Sequence, residues 1–113
     1  MPSAKSSKAK GRRLQNFVRD LFRKVFKNKL EDDDIKSQIM GVNGEDIVLS
    51  PAARKLLPFS IECKNVEKLS IWKALKQAEE NTTKNSTPLL IFKRNNTPTY
   101  VCENIETWIK RIK

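Results

Sequence analysis

The chain has 113 residues, 38% apolar and 32% charged, which bounds it to one small domain with a modest core and much polar surface. It contains no histidine, and Cys63 and Cys102 are spaced unlike any metal-binding pair. That excludes histidine-metal nucleases, serine–histidine and cysteine–histidine hydrolases, and most zinc sites, so any catalysis falls to carboxylates and lysine.

The formal net charge of +10 is one-ended: residues 1–30 hold ten Lys/Arg against Asp20, and the other 83 hold thirteen against twelve acids. Such an excess is the footprint of a polyanion, here read as nucleic acid. Residues 1–9, rich in Ser, Lys and Ala without an apolar period, are expected to be a disordered basic arm, with 10–113 as the domain. No signal-peptide core follows the N-terminus, and the longest apolar run, Leu89 to Phe92, is too short to span a bilayer. Both cysteines therefore read as buried thiols of a reducing compartment.

From about Lys10 to Asn28 the apolar residues Leu14, Phe17, Val18, Leu21, Phe22 and Val25 recur at helical spacing. This helix should dock on a core through that stripe and show a basic back of Arg12, Arg19 and Arg23, with Gln15 at the border. Glu31 to Asp34 reads as a solvated acidic turn or a charge partner for the helix. Short strands are expected over 35–39 and 44–49, joined by a loop holding Gly41, Asn43 and Gly44. Ser50 and Pro51 cap and open one or two helical turns ending at Pro58.

The run Pro58 to Lys64 alternates as a strand, which puts Ser60, Glu62 and Lys64 on one face and Phe59, Ile61 and Cys63 on the other. A helix over 71–80 buries Ile71, Ala74, Leu75 and Ala78 and shows Ser70, Lys73 and Gln77 on its opposite side. Strands over 87–93 and 97–102 flank the Asn95-Asn96 turn. A last helix from about Asn104 carries Ile105, Trp108, Ile109 and Ile112 as its expected buried stripe. Trp108 thus reads as core, and Trp72, off its helix's apolar stripe, as the better interface candidate. The order α-β-β-β-α-β-β-α implies an α/β or α+β layer.

Asp46, near the start of one strand, and Glu62 with Lys64 on another form the central constellation. Two carboxylates suit a magnesium ion because they leave most of its octahedral shell to water and phosphate. A neighbouring lysine can orient the attacking water, lower its pKa, or stabilise charge on the phosphorane. Glu-x-Lys triplets are common, and solvated strand residues would look the same. The second acid and the basic helix are what favour a metal site.

Four stretches together resemble the PD-(D/E)XK nuclease superfamily: Lys10-Gly11-Arg12-Arg13 opening the first helix, Gly44-Glu45-Asp46-Ile47, Ile61-Glu62-Cys63-Lys64-Asn65, and the later helix with Gln77. Within it the chain is similar to small Holliday-junction resolvases and their phage-borne versions. The resemblance implies a restriction-endonuclease-like α/β fold, with a mixed central sheet of about four to five strands flanked by helices. It implies Mg2+ (or Mn2+) held by Asp46, Glu62 and the Cys63 backbone carbonyl, with Lys64 as catalytic lysine and Gln77, Ser37 and Gln15 in support. Lys10, Arg12, Arg13, Lys36 and Lys73 would bind branched DNA, and the protein would be a homodimer in the bacterial cytoplasm. Glu45 stands where the family name has proline, a frequent substitution of little expected consequence. Gln15 lies where many relatives have a glutamate, which would weaken a second metal position.

Overall fold

The structure, a computed structural model, describes residues 4–113. Helix α1 spans Ala4–Val25. The expected disorder therefore does not extend over residues 4–9, whose alanines and lysines are good helix formers; residues 1–3 of the expected arm lie outside the described residues. The amphipathic stripe of α1 is split. Leu14 and Val18 are buried and Phe22 packs on the core, whereas Phe17, Leu21 and Val25 are exposed. Arg23 also leaves the expected basic back, since its Nε donates to the Ile35 carbonyl (2.9 Å) and the Asp32 carbonyl (3.1 Å). That ties the helix to a 3-10 turn, Asp32–Asp34, and to the strand after it.

Strands β1 (Ile35–Ser37) and β2 (Ile47–Leu49) form an antiparallel ribbon with Ile35 opposite Leu49. Both are shorter than expected because the chain between them turns through positive φ at Gly41 and Gly44, which suspends strand geometry until Ile47. Helix α2 (Pro51–Leu56) starts as its sequence dictates: Ser50 Oγ accepts the Ala53 N–H at 3.1 Å, and Pro51 occupies the first turn. Ser50 also donates to Asp34 at 2.6 Å, pinning α2 to the acidic turn.

Strand β3 (Phe59–Asn65) runs parallel to β4 (Thr87–Lys93), and β5 (Tyr100–Cys102) closes the far edge antiparallel. The last strand starts three residues later than expected, since Thr97 is consumed by the turn, where its N–H and hydroxyl both bond Arg94. Pro98 then has no N–H to give a ladder. The five strands make a mixed α/β sheet of the restriction-endonuclease-like kind, with ladders β1-β2 and β3-β4-β5. Asp46 joins the two, its N–H donating to the Ile61 carbonyl at 2.9 Å.

Helix α1 covers β1 and β3 on one side of this sheet, and α3 (Ile71–Glu80) covers β3 and β4 on the other. Ala74 and Ala78 are buried there, whereas Ile71 is exposed; two alanines let the helix approach the sheet closely. The main core is Leu14, Val18, Ile35, Ile47, Ile61 and Ile91 with their neighbours.

Helix α4 (Ile105–Ile112) overturns the expectation of a buried stripe: Ile105, Trp108, Ile109 and Ile112 are all exposed, Trp108 by 47%. The helix docks through its polar side instead. Arg111 bonds Glu103 and lies 5.0 Å over the Phe59 ring, and Thr107 donates to Glu103 at 2.8 Å. No described helix is long and apolar enough to cross a membrane.

Candidate active site

The site forms at the edge of β3 that faces the ribbon. Alternation sends the Glu62 and Lys64 side chains to the α3 side of the sheet. Asp46 arrives from the ribbon and is fixed by three bonds. Its carbonyl accepts Gln38 N–H (2.8 Å), its N–H bonds Ile61, and its Oδ2 accepts the Cys63 N–H at 2.7 Å. A strand residue points its N–H and C=O to the same edge, so the Cys63 carbonyl projects toward Asp46 as well. Asp46, Glu62 and Lys64, expected to converge from two strands, are thus brought together.

Glu62 is 3% exposed, with Lys64 Nζ 3.4 Å from Oε1 and Asn81 Nδ2 3.4 Å from Oε2. Desolvation first, and then the Asp46 charge, push its pKa up to about 7; Lys64 and Asn81 only partly oppose this. Asp46 is raised from its ordinary value for the same first reason, against the Cys63 N–H and Lys64, which favour its charged form. Burial thus shifts both carboxyls of this coupled pair toward their protonated forms. Burial also pushes the Cys63 thiol well up, so that side chain is inert and only its backbone is placed to contribute.

Among the described residues no three acidic, cysteine or histidine side chains form a ready-made metal cage. The oxygen donors that could serve a cation are the two carboxylates and the Cys63 carbonyl. Lys64, Ser70, Lys73 and Gln77 line a neighbouring cleft of about 240 Å³, which brings the expected Lys73 and Gln77 to the same cleft as Lys64.

The other expected residues are distributed differently. Gln15 is buried, and its Oε1 lacks a hydrogen-bond partner. Ser37 donates to Asn16 on α1 at 2.8 Å, so it ties helix to ribbon and bonds none of the acids. Lys10, expected on DNA, is 7% exposed: its ammonium lies 3.5 Å from Glu67, and its carbonyl accepts Asn65 Nδ2 at 3.1 Å. A charge drawn under the end of β3 in this way is withdrawn from phosphates. Arg12, Arg13 and Lys36 remain exposed.

Two residues escaped the sequence reading. Asn81, at the C-cap of α3, is the polar partner of Glu62. Arg54 binds Glu45 and the Phe59 carbonyl, each at 2.8 Å. Asn at a helix end is itself a signal; nothing local marks Arg54.

No curated protein and no solved structure matches the chain. One family does, described as "Phage putative PDDEXK endonuclease", over residues 6–112, nearly the whole chain. With that coverage the chain belongs to the PD-(D/E)XK endonuclease family of phages.

Proposed function

We propose that the protein is a magnesium-dependent DNA endonuclease, selective for branched DNA, with Mn2+ able to substitute. The observation that carries this reading is the pair Asp46–Glu62, held together at the β3 edge with Lys64 3.4 Å from Glu62. The donors fit a hard cation: all are oxygens, and the strained proton affinity of the pair is what a divalent ion would relieve. When bound, such an ion supplies charge neutralisation at the phosphate and a more acidic water.

The chain's own groups do the rest. Lys64 faces the same cleft as Lys73, where both ammoniums oppose phosphate charge, and Gln77 offers an amide to the attacking water or a phosphoryl oxygen. Hydrolysis forms a bond from water oxygen to phosphorus and breaks one from phosphorus to a sugar oxygen, which leaves with a proton. Arg12 and Arg13 on α1, with Lys36 on β1, add sequence-independent phosphate contacts, so affinity falls steeply with salt.

A homodimer belongs to the same reading, because two symmetric sites suit a four-way junction. The outward stripe Ile105, Trp108, Ile109 and Ile112 supports it. A helix held by its polar side with its apolar side to solvent leaves a contiguous apolar patch, the kind of feature that marks an association surface. Ile109→Glu is expected to convert dimer to monomer in sedimentation equilibrium without loss of helical signal. A wild type that stays monomeric at 100 µM (roughly the upper range of such a test) would remove the dimer.

The function is tested by incubating four-way junction, linear duplex and single strand with protein and Mg2+, then running denaturing gels. Nicks confined to the junction are expected. Nicks on every duplex would make it a general nickase, and a mobility shift without cleavage would make it a non-catalytic binding module.

A further inference from the structure

We infer that Arg54 and Glu45 form a positioning clip for Asp46, so that α2, which carries no catalytic group, sets the geometry of the acid pair. This rests on the reading of Asp46 and Glu62 as the working pair. The Arg54 guanidinium takes both Glu45 oxygens, Nη1 to Oε2 and Nη2 to Oε1, at 2.8 Å each. Nη1 also donates to the Phe59 carbonyl at 2.8 Å. One side chain therefore spans both segments that bring the carboxyls together: the residue before Asp46, and the first residue of the strand that carries Glu62. The pair is sheltered, with the side chains 19% and 11% exposed, so its bonds are less weakened by water than a surface ion pair's.

The segment needs such a device. Gly44 sits at φ +113° directly before Glu45, and Gly41 at +87°, so the loop has two swivels upstream of Asp46. Downstream, the β2 ladder begins only at Ile47. Between swivel and ladder, Asp46 has its own bonds to Gln38, Ile61 and Cys63, and among the described residues the clip is the one side-chain tether reaching its neighbour Glu45. Arg54 is itself anchored, since α2 is capped by Ser50 and Ser50 is bound to Asp34. The planar fork matters: it meets both carboxylate oxygens with parallel N–H bonds, whereas a lysine ammonium is a point charge on a flexible stem that does not match that geometry. The glutamate in the proline position is thus not neutral, because it exchanges a rigid backbone for a tether to α2.

The test is amide hydrogen exchange in the metal-free protein, comparing wild type with Arg54→Lys, Glu45→Gln and the swapped pair Glu45→Arg/Arg54→Glu. Exchange at the Asp46 and Cys63 amides, which report the two bonds fixing Asp46 to β3, is expected to accelerate about tenfold or more in the single variants. The Ile91 amide in β4 should be unchanged, and the swapped pair should recover part of the protection. Mg2+ affinity should fall about tenfold in the single variants, the lower end of the effect of removing a group that orients a ligand. A lower melting temperature with unaltered Asp46 and Cys63 exchange, or equal acceleration throughout the sheet, would reduce the pair to a plain structural bridge. Exchange is read without metal or DNA, so a protein that never cleaves DNA would still decide for or against the clip.

Discussion

Glu62→Gln is expected to abolish cleavage and, in the metal-free protein at pH 8, to raise the melting temperature. The two effects have one cause. Glu62 is 3% exposed and beside Asp46, so at pH 8 the folded protein must hold two desolvated negative charges against only one near ammonium, Lys64. Gln keeps the shape and the Asn81 contact but removes one charge. The expected gain is about 1–3 kcal/mol, or several degrees in a domain of this size. The loss of a charged donor from the pair should cost on the order of 10^3-fold or more in rate. Single-turnover cleavage and thermal unfolding on the same preparation check both halves. A variant that is inactive because it is less stable would contradict the account.

The second large effect is the pH dependence of the metal-free fold. Glu62 titrates near 7 when folded and near its ordinary 4.5 when unfolded. Between those values the native state binds more protons than the unfolded chain, so stability falls as pH rises. The stabilisation is fully present below about 4.5 and lost by the time the pH passes 7. A displacement of that size corresponds to about 3 kcal/mol, and Asp46, raised in the same direction, adds to it. The depressed acids Asp20, Asp34 and Glu67 act with the opposite sign, but below pH 4.5, outside this window. Denaturant unfolding at pH 5 and pH 8 without metal should therefore show the higher stability at pH 5. Added Mg2+ should restore the fold chiefly at pH 8. A stability that climbs steadily from pH 5 to 8 without metal would mean the pair is not buried as described.

The Glu62/Lys64 half of the site was legible in the sequence because its placement depends on local rules, whereas Asp46 is fixed by bonds to Gln38, Ile61 and Cys63 on other segments. Alternation put Glu62 and Lys64 on one face, and the bounds of α3 and β4 came out as their patterns predict. What it hid depends on contacts distant along the chain. Periodicity identifies an apolar stripe but not which flank meets a partner, so it groups Phe17 and Leu21 with Leu14 and Val18, of which only the last two are buried. The same ambiguity reversed α4, which meets Glu103 and Phe59 through Arg111 and leaves its apolar face outward. Lys10 looked like a phosphate ligand because charge alone says nothing about Glu67 and Asn65, which capture it from more than fifty residues away. Arg54 was silent for a related reason: its partners Glu45 and Phe59 flank it on separate elements, and only the folded ribbon makes them adjacent.

Calorimetric titration of Mg2+ into the wild type, Asp46→Asn and Glu62→Gln at pH 7.5 puts the proposed shared cation site to the most direct trial. Wild type should bind with release of protons, seen as a heat that changes with the ionisation enthalpy of the buffer, because the ion displaces a proton from the pair. Both variants should lose that binding. Equal affinity in all three proteins, or binding with no proton released, would show that Asp46 and Glu62 do not share one cation.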